Sequence, residues 1–513
     1  MDFRGLLEKQ SGKYSDKPAI LFRDSTITFK ALKEQVLSVA SGLSSLGAKR
    51  SDKVAIFLPN IPEYIYSFLG IFLLRGIAVP LDFMLTEEEV INFINHSESS
   101  ILIAQEKKSI DLMNVKNKCP SLKEVILFEV GEAQNLNERD FLFWDKEFSA
   151  KATNPGAYEK NISELDHSSI FYTSGSTGHP KGVLLNYGHL KNPLDTFEYF
   201  ISLNDKDVLL CAAIPFSHLG GLDHVLLMLN SGMTMVLMER FQPYEFLKTI
   251  EKHKISIFVI VPSMYVAVLS LKEYDKFDLS SLRYAVVFGA PSSPVLLERF
   301  HKQCPNAYLL NGWGMTETAA PNAFFATGTN TREIPHTGEF APQSQAKTVD
   351  ESGNILGPEE DGELWIKGKC VMVGYYKEPE LTKQTITGDG WLRTGDVARF
   401  DRRGRCSIVG RIKDMIKVSG EIVFASEVEE VIHRHPKISE VAVIGIADTM
   451  RGEVPKAFIV LKDGEALEKE ELREFLRQHL AHFKIPHHFE FTKILPKNRV
   501  GKIDKEKLKV AVS

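Results

Sequence analysis

Apolar and polar residues follow two different periods over residues 1 to about 165. Pro18–Phe22 and Lys53–Leu58 are short apolar runs typical of buried strands, whereas Phe29–Leu46 has apolar residues at helical spacing. Ile101–Ala104 and Glu124–Phe128 continue the series of strands. Because strands that alternate with helices form βαβ units, the pattern predicts a largely parallel sheet with flanking helices.

The same alternation returns in the middle of the chain, where each apolar run ends in small or turn-forming residues. The predicted strands are Val208–Cys211, Met235–Met238, Ile257–Val261 and Tyr284–Phe288. In α/β proteins the loops after such strands carry functional residues. Between residues 362 and 409, short β-hairpins without long helices replace the alternation, which predicts a β-rich subdomain.

A compact α+β segment follows Gly410. Ser426–Glu429 matches a capping box, and the helix that it predicts has one apolar face formed by Val428, Val431 and Ile432. The predicted fold class is therefore α/β, with a large N-terminal domain of parallel sheets and flanking helices plus a β-rich subdomain, and a small mobile α+β C-terminal domain. The predicted ranges are 1–410 for the first domain, 411–414 for a hinge and 415–513 for the second.

Composition narrows the classes of function. With 513 residues the chain is too long for one continuous core, and its 43% apolar and 25% charged residues indicate a globular protein. A net charge of −5 disfavours a general nucleic-acid binder. The five cysteines form no Cys-x-x-Cys pair, which disfavours a zinc site and favours a cytoplasmic location. The N-terminus predicts an ordinary helix rather than an export signal, and no apolar stretch is long enough to span a bilayer.

One segment, residues 173–183, has the composition of a phosphate-binding loop. Glycines let the backbone approach anionic oxygens, hydroxyl groups donate hydrogen bonds, and a lysine adds positive charge. The residues of these types are Thr173, Ser174, Gly175, Ser176, Thr177, Gly178 and Lys181. The alternative is a solvated Gly/Ser turn. The order does not fit a P-loop, in which Lys-Ser or Lys-Thr follows the last glycine, because Lys181 is followed by Gly182.

With four further segments, this loop makes the chain resemble the acyl-adenylate-forming enzymes, which include acyl- and aryl-CoA synthetases, luciferases and peptide-synthetase adenylation domains. The resemblance covers nearly the whole chain. The five matching signatures are Thr173–Val183, Asn311–Thr318, Trp391–Asp396, Gly410–Gly420 and Pro496–Lys502.

The resemblance implies a nucleotide site. Thr316 would donate a hydrogen bond to the α-phosphate of ATP, Trp313 would stack on adenine, Asp396 would accept from both ribose hydroxyls, and Glu317 would bind Mg²⁺. The nucleotide-binding residues implied in this way are Thr173, Ser174, Gly175, Ser176, Thr177, Gly178, Lys181, Gly289, Ala290, Pro291, Asn311, Gly312, Trp313, Gly314, Thr316, Asp396 and Arg411.

The resemblance also implies the catalytic groups. Lys502, Thr316 and His218 are the implied catalytic residues, and Lys502 would bridge the carboxylate and the α-phosphate during adenylation. Lys413 would be the hinge at which the small domain rotates after the first step. The rotation would withdraw the lysine and open a path for CoA beside Gly420 and Lys417.

The segment after Pro215 corresponds to the family's acid-binding pocket. The implied pocket residues are His218, Gly220, Gly221 and Asp223. The helix predicted over Leu222–Leu229 is mostly apolar, which suits fatty or aryl acids. Asp223 and His224 interrupt it, so Asp223 either meets a polar substituent of the substrate or has a solvent-facing or interhelical role.

These residues together imply an acid–CoA ligase. A carboxylic acid and ATP would give acyl-AMP and pyrophosphate, and CoA would then give acyl-CoA and AMP, with Mg²⁺ as the metal. The favoured substrate is a medium- or long-chain fatty acid. The alternatives are an aryl-acid ligase, an acyl-AMP ligase that loads a carrier protein, and a catalytically weak ATP-binding regulatory protein. Peripheral membrane contact stays open, as do a monomer and a homodimer, and no nucleic-acid partner is expected.

Overall fold

The structure is a computed structural model that describes residues 1–128, 140–148, 163–173, 181–289, 294–327, 338–498 and 501–510. Its helices, in chain order, are α1 (Phe3–Lys13), α2 (Phe29–Ser45), α3 (Pro62–Leu73), α4 (Glu87–Ser97), α5 (Leu112–Lys118), α6 (Trp144–Glu147), α7 (Asn192–Phe200), α8 (Leu219–Ser231), α9 (Pro243–His253), α10 (Pro262–Leu269), α11 (Pro294–His301), α12 (Pro379–Thr385), α13 (Ala425–His433), α14 (Lys469–Arg477) and α15 (Lys505–Val510).

The strands are β1 (Pro18–Phe22), β2 (Ser25–Thr28), β3 (Lys53–Phe57), β4 (Ile77–Pro80), β5 (Ile101–Gln105), β6 (Glu124–Phe128), β7 (Leu142–Phe143), β8 (His167–Thr173), β9 (Lys181–Asn186), β10 (Val208–Ala212), β11 (Thr234–Met238), β12 (Ile257–Ile260), β13 (Tyr284–Phe288), β14 (Tyr308–Trp313), β15 (Ala323–Thr327), β16 (Glu339–Phe340), β17 (Ser344–Val349), β18 (Gly362–Gly368), β19 (Gly374–Tyr375), β20 (Leu392–Phe400), β21 (Cys406–Arg411), β22 (Met415–Val418), β23 (Glu421–Phe424), β24 (Ile438–Asp448), β25 (Gly452–Leu461) and β26 (His488–Phe491).

The chain divides into two compact units. The first unit consists of Met1–Val259, Gly314–Asn322 and Gly368–Gly388. The second unit consists of Ile260–Trp313, Ala323–Lys367 and Asp389–Ser513. The ranges predicted above for two domains and a hinge remain a prediction.

The first unit is built on sheets with a parallel centre. One sheet has the order β19-β9-β8-β4-β3-β5-β6-β7, and its strands from β8 to β7 pair in parallel. A second group pairs β12 with β10, β10 with β11 and β11 with β1 in parallel, and β2 closes a hairpin on β1. Central strands of the first sheet have fully buried apolar residues, as at Ala55, Phe57, Val79 and Leu102, which agrees with apolar runs covered on both faces.

The second unit combines two parallel strand pairs, β13 with β14 and β25 with β26, with antiparallel sheets. β13 pairs in parallel with β14, which continues antiparallel into β15. One antiparallel sheet has the order β17-β18-β20-β21, and another runs β23-β22-β25-β24 with β26 beside β25. The predicted α/β fold class, with parallel sheets, a β-rich part and a C-terminal α+β part, is confirmed.

The first turn of α13 differs from the prediction. The helix begins at Ala425 and its capping residue, Phe424, makes no side-chain hydrogen bond. Ser426 therefore lies inside the helix, where its hydroxyl donates to the carbonyl of Val409. Glu429 accepts from the amide of Val443 at 2.6 Å instead of closing a capping box, so that prediction is wrong. The predicted apolar face is confirmed, since Val428, Val431 and Ile432 are all buried.

All five cysteines are buried thiols without disulfide bonds. In the part of the chain that the structure describes, no helix combines the length and the hydropathy that crossing a membrane requires.

Candidate active site

The hairpin of β20 and β21 brings two of the sequence signatures together. Asp396 on β20 is the direct register partner of Arg411 on β21. Arg411 Nε lies 2.8 Å from Asp396 Oδ1, and the indole Nε1 of Trp313 donates to Asp396 Oδ2 at 2.9 Å. Asp396 is only 3% exposed. The structure therefore gathers three residues that the resemblance assigns to the nucleotide.

This carboxylate keeps capacity for a further donor. Among the described residues, none donates a well-aligned hydrogen bond to Asp396 Oδ1, although the oxygen is buried. Because each carboxylate oxygen has two lone pairs, Asp396 can still accept from ribose hydroxyls beside its contacts with Trp313 and Arg411. The bond from Trp313 was missed by sequence reasoning. Its signal was the tryptophan itself, whose indole provides an N–H donor.

Lys502 belongs to the same unit and extends over a glycine. The backbone amide of Lys502 donates to Asn498 Oδ1 at 3.0 Å. Gly289 follows β13 with φ +92°, and a Cβ there would lie 3.4 Å from Lys502 Cε. The positive φ favours glycine at this position, and the Lys502 side chain would be in ordinary van der Waals contact with a Cβ there.

The surroundings of Lys502 change its pKa. Burial is the main cause, the Arg411 cation adds to it, and Asp396 partly opposes both, so the pKa of Lys502 falls from 10.5 to about 8. The lysine, the arginine and the aspartate therefore interact electrostatically. A lysine with a lowered pKa beside two charged side chains is typical of functional sites.

The pKa of Lys502 leads to a prediction about pH. A neutral amine cannot bridge two anions. Because the pKa of Lys502 is about 8, kcat/KM for adenylate formation should fall about tenfold per pH unit above that pH. Lys502→Arg should show no such decline up to pH 10, since a guanidinium stays charged. Pyrophosphate release at low MgATP measures the profile, and an identical alkaline decline in the arginine variant would assign it to another group.

The first unit holds the segment with Thr316 and Glu317. Thr316–Thr318 forms one turn of 3₁₀ helix, and Thr316 is partly exposed. Asn192 fixes the following residues, because its Nδ2 donates to the carbonyls of Ala319 at 2.7 Å and Pro321 at 3.1 Å. A buried amide side chain thus holds the turn from outside the signature.

Glu317 is buried and receives a hydrogen bond from a tyrosine. Tyr375 Oη donates to Glu317 Oε1 at 3.0 Å, and burial together with the Glu317 charge raises the pKa of Tyr375. Lys181 Nζ lies 5.4 Å from the centre of the Tyr375 ring. The described residues include no group of three or more potential metal ligands. A single buried carboxylate fits Mg²⁺, which commonly takes one or two carboxylates and completes its shell with phosphates and water.

The flanks of the phosphate loop are in place. Thr173 ends β8 and Lys181 begins β9, and the two residues are register partners. The loop residues between them, Ser174, Gly175, Ser176, Thr177 and Gly178, lie outside the described residues, as do Ala290 and Pro291.

The glycines of the second signature have packing reasons of their own. A Cβ at Gly312 would lie 2.5 Å from the ring of Phe324, and one at Gly314 would lie 2.6 Å from Ala320 Cβ. Asn311, one residue earlier on β14, is buried. Close packing alone therefore explains these two glycines, and their predicted contact with nucleotide remains a prediction.

Helix α8 carries the predicted pocket residues. His218 is its N-cap residue, and a Cβ at Gly221 would lie 2.5 Å from the carbonyl oxygen of Pro215, so the glycine permits tight packing. At Gly220 the nearest atom to such a Cβ is Ile214 Cγ2 at 3.5 Å. Asp223 is 7% exposed, so the solvent-facing alternative is wrong, and burial raises its pKa well above normal.

The predicted hinge and CoA path lie around β22. Lys413 is exposed in the 3₁₀ turn Ile412–Asp414, which connects β21 to β22. Lys417 is exposed on β22, and Gly420, with φ +93°, lies in the turn to β23. Their assigned roles remain predictions.

Comparison with known proteins places the chain in a family. The model described as AMP-binding enzyme matches residues 7–376, and the model of the AMP-binding enzyme C-terminal domain matches residues 427–502. A long-chain-fatty-acid–CoA ligase from Bacillus subtilis (strain 168) is 31% identical over 98% of this chain and 93% of its own length. The 4-coumarate–CoA ligase 1 of Petroselinum crispum is 31% identical over 98% of this chain and 92% of its own.

A solved structure of similar fold supports this family assignment. The anthranilate CoA ligase AuaEII, in complex with anthranoyl-AMP, is 26% identical with a TM-score of 0.91, covering 100% of this chain and 97% of that one. These names match the predicted enzyme class, an acid–thiol ligase. The motifs, the fold and the relatives together show that the chain belongs to the AMP-binding enzyme family, as its resemblance to acyl-adenylate-forming enzymes predicted.

Proposed function

We propose that the protein is an ATP-dependent acid–CoA ligase. A carboxylate oxygen attacks the α-phosphorus of ATP, the bond to pyrophosphate breaks, and acyl-AMP forms. The CoA thiol then loses its proton and attacks the acyl carbon, AMP leaves, and acyl-CoA results. The observation that supports this function most directly is the cluster of Lys502, Asp396 and Arg411 beside Gly289.

Each residue contributes to a reaction in which two anions meet. The Lys502 ammonium neutralises charge between the carboxylate and the α-phosphate, an effect that is strong in a partly desolvated site. Asp396 orients the ribose, and Thr316 donates to the α-phosphate. Lys181 adds a positive charge for the phosphates. Glu317 would hold Mg²⁺, which supplies charge neutralisation on the phosphate oxygens when it is bound.

The second half-reaction gives a prediction at the hinge. Lys413→Pro should slow thioester formation at least about tenfold and leave adenylation largely intact, because proline fixes φ and restricts the residue before it. The matched control, Lys413→Ala, keeps backbone freedom and should support both steps. Single-turnover transfer from acyl-AMP to CoA measures the effect. Normal thioester formation in the proline variant would show that no rotation occurs at this residue.

The acid is proposed to be mainly apolar. Eight of the residues in α8 are buried leucine, valine, methionine or glycine, which favours a medium- or long-chain fatty acid as the first candidate. The second candidate is an aryl acid. Buried Asp223 and His224 in the same helix favour it, because a wholly aliphatic tail would offer them no hydrogen bond.

The proposed function is tested by pyrophosphate release from MgATP with fatty, aryl and dicarboxylic acids, with and without CoA. We expect sustained release only when CoA and one class of acid are both present. Stoichiometric release that CoA does not convert into turnover would favour an acyl-AMP ligase that uses a carrier protein. ATP binding without release for any acid would favour a regulatory protein and contradict the proposal.

A further inference from the structure

Three polar side chains around the start of α8 have buried atoms without hydrogen-bond partners among the described residues. These atoms are Ser217 Oγ, Asp223 Oδ1 and His224 Nε2. Their residues are 8%, 7% and 2% exposed. Buried polar atoms are normally paired, because leaving them unpaired is destabilising. Three of them within eight residues therefore need a functional or structural explanation.

The tautomer of His224 can be assigned from its contact. Its Nδ1 lies 2.6 Å from the carbonyl oxygen of Gly220, so Nδ1 carries the proton and donates. Nε2 is then a lone-pair acceptor. Burial also lowers the pKa of His224 to about 4, which keeps this ring neutral. The ring therefore presents one acceptor that a hydroxyl or amino group can satisfy.

Asp223 and His224 share a helix face with Gly220. They are three and four residues after Gly220, and their side chains tilt towards the N-terminus of the helix. Among the described residues outside the helix's own backbone, a Cβ at Gly220 would have only Ile214 Cγ2 within 4 Å. The space beside Gly220 is thus bordered by an isoleucine methyl group and by the turn that carries Asp223 and His224.

We propose that Asp223 and His224 form a polar subsite of the acid pocket that selects carboxylic acids bearing a hydroxyl or amino group. The inference rests on the proposed function. Because the His224 ring contacts the carbonyl of Gly220, the substituent is placed beside Gly220.

The test compares acids that differ only in the substituent. One pair is 4-hydroxycinnamate with cinnamate, and the other is 7-hydroxyheptanoate with heptanoate. The wild-type enzyme should prefer one hydroxylated acid by at least about 100-fold in kcat/KM, because a site built for a hydroxyl rejects the analogue that lacks it. The pair that shows the preference distinguishes an aryl from an aliphatic source of the hydroxyl.

His224→Leu and Asp223→Leu should each reduce that preference at least about tenfold. The matched control is Asn230→Leu, an exposed position at the end of the same helix, which should keep the preference. Without ligand, Asp223→Leu should unfold at a higher temperature than wild type, because a buried carboxyl with an unpaired oxygen is replaced by an apolar group. A structural role would instead lower the unfolding temperature.

The outcomes separate this inference from the proposed function. Turnover of acids without preference for the substituent, or the same preference in both variants, overturns the subsite and leaves the ligase intact. If no acid is turned over, the change in unfolding temperature that each acid produces tests the polar subsite. A shift with the hydroxylated acid that His224→Leu abolishes supports the subsite, whereas equal shifts with both acids overturn it.

Discussion

Lys502→Ala is expected to lower the rate of adenylate formation by about 100- to 1,000-fold, the usual effect of removing one group that stabilises transition-state charge. The Lys502 side chain lies beside Gly289 and interacts electrostatically with Arg411 and Asp396. Thioester formation from supplied acyl-AMP should be largely unaffected, because this step no longer joins a carboxylate to a phosphate. Separate assays of pyrophosphate release and of acyl transfer to CoA measure the two steps.

The chain offers a matched control for this variant. Lys507 lies in the same basic run, is 67% exposed and pairs loosely with Asp504 at 3.6 Å. Lys507→Ala should leave both half-reactions unchanged, since exposed ion pairs contribute little. An equal loss of both half-reactions in Lys502→Ala would contradict its role in adenylation and indicate a structural one.

Asp396→Ala is expected to raise KM for ATP by at least about tenfold for each ribose hydroxyl, because a hydrogen bond to a charged group contributes about 1.5–3 kcal/mol. The variant should also lose some stability, since the buried Nε1–H of Trp313 would lose its acceptor. Nucleotide analogues separate these effects. The wild type should discriminate against 2′-deoxy-ATP and 3′-deoxy-ATP, and Asp396→Ala should use ATP and both analogues equally poorly.

Asp361 provides the comparison for that experiment. It forms a two-point ion pair with Arg399 in the same unit, with Nε–Oδ1 at 2.7 Å and 30% exposure of its side chain. Asp361→Ala should change neither the KM for ATP nor the discrimination between the nucleotides. If Asp396→Ala still discriminates against the deoxynucleotides, the carboxylate only supports Trp313 and Arg411 and does not contact ribose.

The secondary structure was predictable wherever burial sets a strict period. Pro18–Phe22, Glu124–Phe128 and Tyr284–Phe288 are strands with the predicted bounds, and α2 ends one residue before the predicted Leu46. The error at Ser426 has a physical cause. A hydroxyl near a helix start can bond the helix's own amide or a distant carbonyl, and here Val409 is within reach. The local sequence around Ser426 does not determine which hydrogen-bond acceptor the tertiary structure brings near its hydroxyl.

For the candidate site, too, the sequence predicted some features and the tertiary structure decided others. Its residue types, their order and the family were evident from the sequence, because a chemistry that joins two anions requires hydroxyls, lysines and carboxylates in recognisable signatures. The tertiary structure alone decided the contacts. Trp313 donating to Asp396, Tyr375 donating to Glu317, and Asn192 holding the Thr316 turn all join residues far apart in the chain.

The sequence by itself determined the fold class, the enzyme family and the identity of Lys502, Asp396 and Glu317 as candidates. Periodicity and signatures depend on local order, which a sequence contains in full. Only the tertiary structure decided that Asp223 is buried and that His224 Nε2 has no hydrogen-bond partner among the residues it describes. Burial depends on which other segments cover a side chain, and the pKa of Lys502 depends on charges brought near it by folding. For that reason the chemistry of the first half-reaction was predictable from sequence, whereas the choice of acid became a testable question only in three dimensions.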